Sequence, residues 1–243
     1  MNISRLNNKS EQSWNEWLAG LIDGDGCFLV SKKGYTSLEI TMSLKDEHAL
    51  CQIKQKLGGS VKLRSKALAL RYRLHDKKGM LLLIQRINGL CRNPNRLSQL
   101  ERVCEKLEQP FKKPNAINQN NGWFCGFFDA DGTISIRKGD YPQLTLSVSQ
   151  KNPEMLELFQ NNFDGRIRFD SSANCYKWDI DRKDRILNFC EYLNNYSLRS
   201  AKKRRYLLIS KYFELREAFV YRSSHSENLF KAWKIFETDW DNG

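Results

Sequence analysis

Two aspartates, Asp25 and Asp131, occupy the same position in a ten-residue phrase that the chain contains twice, at residues 17–26 and 123–132. The two acids are 106 residues apart, which is the length of a small α/β unit. The sequence therefore indicates a tandem duplication within one chain. Duplicated units tend to pack about a pseudo-two-fold axis, so we expect the two acids to lie near that axis as a pair.

Each acid follows an apolar segment with helical spacing, which places it at the C-terminal end of a predicted helix, where the helix dipole disfavours a negative charge. Carboxylates and helix-end carbonyls are ligands that Mg²⁺ accepts, with water and a substrate phosphate completing its octahedron. A single Asp-Gly pair is also an ordinary turn, but two copies in one register favour a metal site. Such a centre suits phosphodiester hydrolysis, in which metal ions stabilise the attacking and leaving oxygens and a basic side chain supports the transition state.

Small residues lie four apart on both predicted helices: Gly20 and Gly24 on the first, and Gly126 and Ala130 on the second. Such strips let two helices pack backbone to backbone. If the two helices pair along the axis through these four interface residues, Asp25 and Asp131 become neighbours.

The elements that must position these helices recur in the same order in both halves. A short apolar run predicts a strand near 27–30, and alternating apolar residues predict strands near 38–42, 59–64, 68–74, 133–137, 144–148, 165–169 and 176–180. Helical spacing predicts helices at 14–22, 46–57, 79–87, 94–107, 122–129, 152–163, 185–193, 201–217 and 227–240. The predicted fold is α+β, with two pseudo-two-fold-related αββαββα repeats at 1–108 and 122–243. A linker rich in Pro and Asn joins them at 109–121.

Two details of these predicted helices depend on single residues. Asn152 and Pro153 suggest an N-cap followed by proline at the first helical position. In the last helix, apolar residues recur at helical intervals, which indicates a packing face rather than an aromatic surface for ligands: Leu229, Trp233, Phe236 and Trp240.

The formal charge of +12, from 40 Lys and Arg against 28 Asp and Glu, indicates a polyanionic partner, and nucleic acid is the leading candidate. Charged residues on one isolated strand are usually just its solvated face. Two matching sheets with so many Arg and Lys favour contact with phosphates and base edges, and a curved antiparallel sheet fits the major groove of DNA. The candidate DNA-binding residues are Lys62, Arg64, Arg71, Arg73, Thr133, Ser135, Arg137, Gln143, Thr145, Ser147, Arg166, Arg168 and Lys177.

Other classes of protein fit this sequence poorly. Its seven cysteines are an odd number without zinc-binding spacing, which is typical of free thiols in a reducing compartment. No apolar run approaches the length of a membrane span, so we expect no membrane partner. The polar N-terminus lacks a signal core, and we expect the protein to work where it is made.

The two phrases resemble the signature of the LAGLIDADG homing endonucleases. Residues 18–26 differ from the consensus only by Gly24 in place of Ala, and residues 124–132 keep its Gly, Asp-Ala-Asp and final Gly. The resemblance covers nearly the whole chain. It implies two antiparallel sheets that form a DNA-binding saddle. It further implies a monomer that recognises a long, pseudo-palindromic or asymmetric double-stranded DNA site and cuts both strands across the minor groove, leaving 3′ overhangs.

The same resemblance implies roles for individual residues. Asp25 and Asp131 would bind two or three divalent ions, Mg²⁺ with Mn²⁺ or Ca²⁺ as substitutes for binding, helped by the carbonyls of Gly24 and Ala130. Asp23 and Asp129 would be structural. Gln150 would lie near the catalytic water, where the first half has Leu44, so the two strands are expected to be cut unequally. Lys202 would be the basic catalytic residue of the second half; in the first half Arg96 is the candidate, with a solvated surface arginine as the alternative.

Two other functions are compatible with the sequence. Some proteins that resemble this family act as RNA maturases for their own group I intron, which requires the basic surface but not the acids. A DNA-binding regulator that has lost catalysis is the third possibility, and the presence of both Asp25 and Asp131 argues against it. The Asn- and Lys-rich composition suggests an AT-rich organellar genome, of a chloroplast or a mitochondrion.

Overall fold

A computed structural model describes residues 3–65, 67–222 and 227–243 of the chain. The first half contains α1 (Ile3–Asp25), β1 (Gly26–Val30), β2 (Thr36–Ser43), a 3-10 helix (Leu44–Asp46), α2 (Glu47–Leu57), β3 (Ser60–Leu63), β4 (Ala69–Leu74), α3 (Lys77–Ile87) and α4 (Pro94–Lys106). The second contains α5 (Trp123–Asp131), β5 (Gly132–Arg137), β6 (Gln143–Gln150), α6 (Glu154–Phe163), β7 (Arg166–Asp170), β8 (Cys175–Ile180), α7 (Lys183–Asn195), α8 (Lys202–Leu207), α9 (Ile209–Glu217) and α10 (Glu227–Asp241).

Both halves build the same antiparallel sheet. The first sheet has the order β1-β2-β4-β3 and the second the order β5-β6-β8-β7. The predicted α+β fold with two αββαββα repeats is confirmed, and additional helices follow the last strand of each repeat. The repetition follows from the period-two alternation of apolar residues, because the same positions of each half face a core.

One face of each sheet is apolar and covered by helices. In the first sheet Leu38 lies opposite Leu74 and Ile40 opposite Tyr72, and all four side chains are fully buried. The second sheet repeats this arrangement, with Leu146 opposite Ile180 and Val148 opposite Trp178. α2 and α3 contact the first sheet and α6 contacts the second. Each sheet therefore has one buried face and leaves the opposite face to polar residues.

The chain divides into two compact units, Met1–Asp131 and Gly132–Gly243. By sequence α5 opens the second repeat, but it packs against α1 and so belongs to the first unit. The segment at 109–121 contains no helix or strand and is held on the first unit, where Asn88 donates to the carbonyl of Pro110 and accepts from the amide of Lys112. The sequence repeats and the compact units therefore have different boundaries, because α5 belongs to the second repeat by sequence and to the first unit by packing.

The contact between α1 and α5 is made by backbone. A Cβ placed on Gly20 would lie 2.0 Å from the carbonyl oxygen of Trp123, and one placed on Gly126 would lie 1.8 Å from that of Trp17. Real Cβ atoms do not approach backbone so closely, so each position requires glycine. The two contacts are reciprocal, which is the two-fold relation that the duplicated phrase predicts for these helices.

Four details of the predicted elements are wrong. α1 begins at Ile3 rather than near Trp14, because Glu11 pairs with Lys56 and Arg86, residues distant in sequence that no local pattern reveals. The helix predicted at 201–217 breaks at Leu208, whose amide bonds three residues back to Arg205 in a tight turn.

The other two corrections concern helices α6 and α10. Pro153, rather than Asn152, caps α6, which starts at Glu154. In α10, Trp233, Phe236 and Trp240 are buried as predicted, but Leu229 is exposed at the first turn.

Among the residues described, no helix combines the length and the apolar character needed to cross a bilayer. The seven cysteines are all described, and each is a free thiol.

The α1–α5 contact predicts a large effect of one methyl group. We expect Gly126→Ala to lower the free energy of unfolding by about 3 kcal/mol, because the Cβ meets the rigid carbonyl of Trp17 and the helices must separate. Urea denaturation measures this. Gly79→Ala is the matched control, since its Cβ would lie nearest the side-chain ends of Leu74 and Asp76, at 2.6 and 2.9 Å, and no nearer than 3.0 Å to backbone, at the carbonyl of Leu57. Equal losses in both variants would contradict the backbone contact.

Candidate metal centre and nucleic-acid interface

The C-terminal ends of α1 and α5 meet. A Cβ placed on Gly24 would lie 2.3 Å from Cβ of Ala130 and 2.8 Å from Oδ2 of Asp131. Gly24, Asp25, Ala130 and Asp131 are each partly exposed, whereas the residues immediately before them, 16–23 and 123–129, are buried. The carboxylate of Asp131 therefore lies directly against the backbone of α1 at the edge of the helix pair.

The charge at these helix ends favours a cation. Each helix directs the negative end of its dipole to its last turn, each last turn contains a carboxylate, and neither contains a basic residue. The donors available are carboxylate and carbonyl oxygens, which match a hard divalent ion such as Mg²⁺. Within the described residues no three His, Cys, Asp or Glu side chains cluster, so an ion here would take further ligands from carbonyls, water and substrate.

The inner acids of the two phrases, Asp23 and Asp129, are buried and bind tryptophans of the opposite helix. The indole Nε1 of Trp123 donates to Oδ2 of Asp23 at 2.7 Å, and that of Trp17 donates to Oδ2 of Asp129 at 2.8 Å. The sequence analysis did not anticipate these bonds, although the two tryptophans open the two phrases at the same position. The inner acids thus hold the helices together and leave the outer acids at the surface.

Asp23 also attaches α4 to the end of α1. Its Oδ2 accepts from the amide of Arg92 at 2.6 Å, and its backbone carbonyl accepts from Nδ2 of Asn93 at 2.9 Å. Asn93 is also the N-cap of α4, accepting from the amide of Asn95. Burial raises the pKa of Asp23 to about 7, although the bonds from Trp123, Arg92 and Asn93 oppose the shift. One carboxyl therefore fixes the start of α4 relative to the helix pair.

The predicted basic residues Arg96 and Lys202 occupy equivalent places in their own repeats. They are 106 residues apart, the same separation as Asp25 and Asp131. Arg96 lies on α4, whose Gln99 accepts from the amide of Phe28 in β1 at 3.1 Å. The counterpart of Gln99 in the second unit is Arg205, which donates to a carbonyl of β5 at 3.1 Å. The helix carrying each basic residue is thus attached to the strand that follows the phrase.

Lys202 is the first residue of α8 and is partly buried. It lines a depression of about 210 Å³ together with Gly132 and Thr133 at the start of β5. In sequence, Gly132 directly follows Asp131. Lys202 therefore lies near the first residues of β5, which directly follow Asp131 in the sequence.

The strand register gives Gln150 a different counterpart from the predicted Leu44. Gln150 is the last residue of β6, opposite Tyr176 of β8, and the corresponding pair in the first sheet is Met42 opposite Leu70. The first hairpin is two residues shorter, since Gly26 pairs with Ile40 whereas Gly132 pairs with Val148, and Leu44 therefore lies beyond the matching strand end, in the 3-10 helix. The first repeat thus has an apolar side chain where the second has an amide.

The predicted DNA-binding residues share the polar face of their sheet, but Ser147 is only 2% exposed there, because neighbouring side chains cover it, and the prediction that it contacts a ligand is wrong in this structure. In the second sheet the register places Thr133 opposite Ser147, Ser135 opposite Thr145, Arg137 opposite Gln143, and Arg168 opposite Lys177. Arg166 lies on the same face, two residues before Arg168. In the first sheet Lys62 lies opposite Arg71, Arg73 lies opposite Ser60, and Arg64 follows β3.

The family match covers both repeats. A sequence model of the family described as LAGLIDADG endonuclease matches residues 18–105 and residues 124–213. The chain belongs to the LAGLIDADG endonuclease family. Its two matched segments begin within the two phrases, so the sequence resemblance is confirmed as membership.

Named relatives of this LAGLIDADG chain are intron-encoded proteins. The intron-encoded RNA maturase bI4 of Saccharomyces cerevisiae is 45% identical over 94% of the chain, and the probable intron-encoded endonuclease aI2 of Debaryomyces hansenii is 40% identical over 99%. The chain spans only 37% and 39% of the lengths of these two relatives. The intron-encoded DNA endonuclease ai2a of Dictyostelium discoideum is 33% identical over 96% of the chain and 77% of its own length.

Solved structures of LAGLIDADG proteins share the fold. The meganuclease I-AabMI bound to uncleaved DNA superposes with a TM-score of 0.72 at 16% identity, covering 94% of this chain and 99% of that one. I-SmaMI, bound to an uncleaved DNA target in the presence of calcium ions, gives a TM-score of 0.65 at 15% identity, covering 94% and 99%.

The polar faces of the two sheets also carry two acids, Asp179 and Glu39, that were not among the predicted site residues. Asp179 of β8 lies on the polar face and is 1% exposed, with Arg166 and Arg168 each at 2.8 Å. Glu39 of β2 pairs more loosely with Arg71 at 3.4 Å and Arg73 at 3.3 Å. The period-two alternation that selected Lys177 also selects Asp179, so the signal was present in the sequence.

The junction of Gly24 with Ala130 predicts compensation between the two LAGLIDADG phrases. We expect Gly24→Ala to lower the free energy of unfolding by about 1–3 kcal/mol, because its Cβ collides with that of Ala130 and displaces Asp131. The double variant Gly24→Ala with Ala130→Gly should recover most of the loss, with a coupling of about 1 kcal/mol or more. Thermal and urea unfolding of the four proteins in the cycle measure it. Additive losses would show that the two positions do not touch.

Proposed function

We propose that this protein is a sequence-specific double-strand DNA endonuclease. It acts as a monomer on a long asymmetric target, hydrolyses both strands with Mg²⁺, and leaves 3′ overhangs. The observation that carries this proposal is the junction at the ends of α1 and α5, where the carboxylate of Asp131 lies against Gly24 and the phrase containing Asp25 supplies the counterpart. Intron-encoded relatives support an intron-borne gene in an organellar genome.

The proposed site divides its tasks among residues of the chain. Asp25 and Asp131 hold the metal with help from the carbonyls of Gly24 and Ala130, and the bound metal supplies electrostatic stabilisation of the attacking and leaving oxygens. Lys202 and Arg96 supply cationic N–H donors to the phosphate oxygens as negative charge develops. The amide of Gln150 orients the attacking water.

The polar sheet faces supply DNA affinity in this proposal. Exposed arginines and lysines on both sheets suit the phosphate backbone. The side chains between them that reach the surface suit base edges: Thr133, Ser135, Gln143 and Thr145. The formal charge of +12 supports a polyanion as the partner.

A second candidate function is an RNA maturase, which the 45% identity to a relative named as an RNA maturase favours. Folded intron RNA offers the same phosphate chemistry to the basic faces. This function does not require Asp25 or Asp131, so the two candidates differ in their dependence on the acids.

Neutralising the two outer acids separates the candidates. We expect Asp25→Asn and Asp131→Asn each to slow cleavage by about 10²–10³-fold or more, because each removes a charge that holds the metal, while DNA binding persists. A randomised double-stranded DNA library digested with Mg²⁺ identifies the target and measures the rates. Asp184→Asn, which changes an exposed acid at the start of α7, is the charge control and should cleave normally.

Other outcomes of the library experiment are decisive. Specific DNA binding without metal-dependent cleavage by the unchanged protein would replace the endonuclease with a DNA-binding regulator. Neither binding nor cleavage of DNA, together with binding of intron RNA that both Asn variants retain, would establish the maturase.

Gln150 predicts unequal cutting of the two strands. We expect Gln150→Ala to slow cleavage of one strand by about tenfold or more while the other strand changes little, because the first repeat has the apolar Met42 at the matching position of its sheet. Nicking of a target labelled separately on each strand measures the two rates. Asn152→Ala is the control, since it removes an exposed amide two residues away. Equal slowing of both strands would remove the asymmetry.

A further inference from the structure

Asp179 differs from the other residues on the polar face of the second sheet because its carboxylate is buried beneath exposed arginines. Its neighbours across the sheet are Ser147 on β6 and Arg166 on β7. The side chain is 1% exposed, whereas the side chains of Arg166 and Arg168 are 62% and 56% exposed. The two guanidinium groups therefore cover the carboxylate.

Each carboxylate oxygen of Asp179 accepts a hydrogen bond from the Nε atom of a different arginine. Oδ2 accepts from Nε of Arg166 and Oδ1 from Nε of Arg168, each at 2.8 Å. A bond at Nε fixes the plane of a guanidinium and directs its terminal nitrogens away from the acid. In the described part of the chain, the terminal nitrogens of Arg168 make no further hydrogen bond, and Nη2 of Arg166 binds Asp181 at 2.7 Å.

The bonding continues across the sheet. Oδ2 of Asp181 also accepts from Nε2 of Gln143 at 3.2 Å, and Oε1 of Gln143 accepts from Nη2 of Arg137 at 3.1 Å. These side chains line a shallow depression of about 520 Å³ on the polar face. The network therefore holds its exposed donors in defined directions at the floor and rim of one concave surface.

The charge of this network argues against simple phosphate binding. Arg137, Arg166 and Arg168 contribute three positive charges, and Asp179 and Asp181 remove two of them. A surface that only neutralises phosphates would lose affinity through those acids. Oriented arginine donors with little net charge instead suit the acceptor edge of guanine, where arginine makes paired bonds to O6 and N7 in the major groove.

We propose that Asp179 is a positioning residue for sequence recognition, which orients Arg166 and Arg168 so that their terminal N–H groups bind guanine edges in the major groove of the DNA target. The inference rests on the proposed endonuclease function and assigns the recognition of particular bases to the second sheet. Glu39, the acid on the first sheet, makes longer contacts and is more exposed, so it orients its arginines less strictly.

The test compares base preference with overall affinity. DNA selected by the unchanged protein from a randomised library is compared with DNA selected by Asp179→Asn and by Asp184→Asn. We expect Asp179→Asn to lose preference for guanine about tenfold or more at one or two positions of one half-site. Its affinity for unrelated DNA should stay equal or rise, since an acid has been neutralised. Asp184→Asn makes the same charge change in an exposed pair with Arg182 and should keep the preference.

Arg166→Lys and Arg168→Lys test the same inference without altering the buried acid. Each keeps the charge but loses the paired N–H groups, so each should relax one of the positions that Asp179→Asn relaxes. In all three variants KM for the target should rise by a larger factor than the maximal cleavage rate falls, because none of the three residues lies at the helix ends that carry Asp25 and Asp131.

Three results would overturn the inference. An even loss of affinity for every sequence, with base preference intact, would make Asp179 purely structural. The same relaxation in Asp184→Asn would make the effect one of charge alone. An unchanged protein that cleaves its target but shows no guanine preference in either half-site would reject the assignment while leaving the endonuclease intact, whereas absence of DNA binding would reject both.

Discussion

The close contact of α1 with α5 is the constraint on which the rest of the structure depends. Gly20 and Gly126 let each helix backbone reach a carbonyl of the other. Two buried bonds from indole to carboxylate, Trp123 to Asp23 and Trp17 to Asp129, then fix rotation and register. A buried carboxylate without its hydrogen-bond donor costs free energy. These bonds therefore disfavour other rotations and registers of the two helices as well as stabilising the observed one. The outer acids acquire their positions at the helix ends as a consequence.

The two repeats have the same backbone arrangement but different side chains at matched positions. Both repeats share sheet order, strand register and the attachment of a helix to the strand after the phrase. The side chains at matched positions differ: Gln99 accepts where Arg205 donates, and Met42 lies where the second repeat has Gln150. The acid on the polar face comes from β2 in one sheet and from β8 in the other. Two repeats with the same sheet order therefore present different side chains on their polar faces.

Local sequence patterns were sufficient to predict most of the fold and the positions of Asp25 and Asp131 at the helix ends. Period-two alternation identified seven of the eight strands, and a short apolar run identified β1. Small-residue spacing identified the face of each helix that contacts the other. The failures share a physical cause, which is a bond between residues distant in sequence. Glu11 extends α1 by pairing with Arg86, and Asp23 binds Trp123 a hundred residues away. Asp179 was overlooked for a different reason: alternation places it on the polar face, but the local pattern does not show that Arg166 and Arg168 bury it.

The assignment of α5 to the first unit has a consequence for synthesis. The ribosome completes the first sheet, its covering helices and the segment at 109–121 before the residues of α5 emerge. Until then α1 has an uncovered glycine face, and the carboxyl of Asp23 lacks its indole donor. The first unit can close only when the opening helix of the next repeat has left the exit tunnel. Cotranslational folding of the two repeats is therefore sequential, and the nascent chain passes through a stage in which an almost complete unit waits for its last helix.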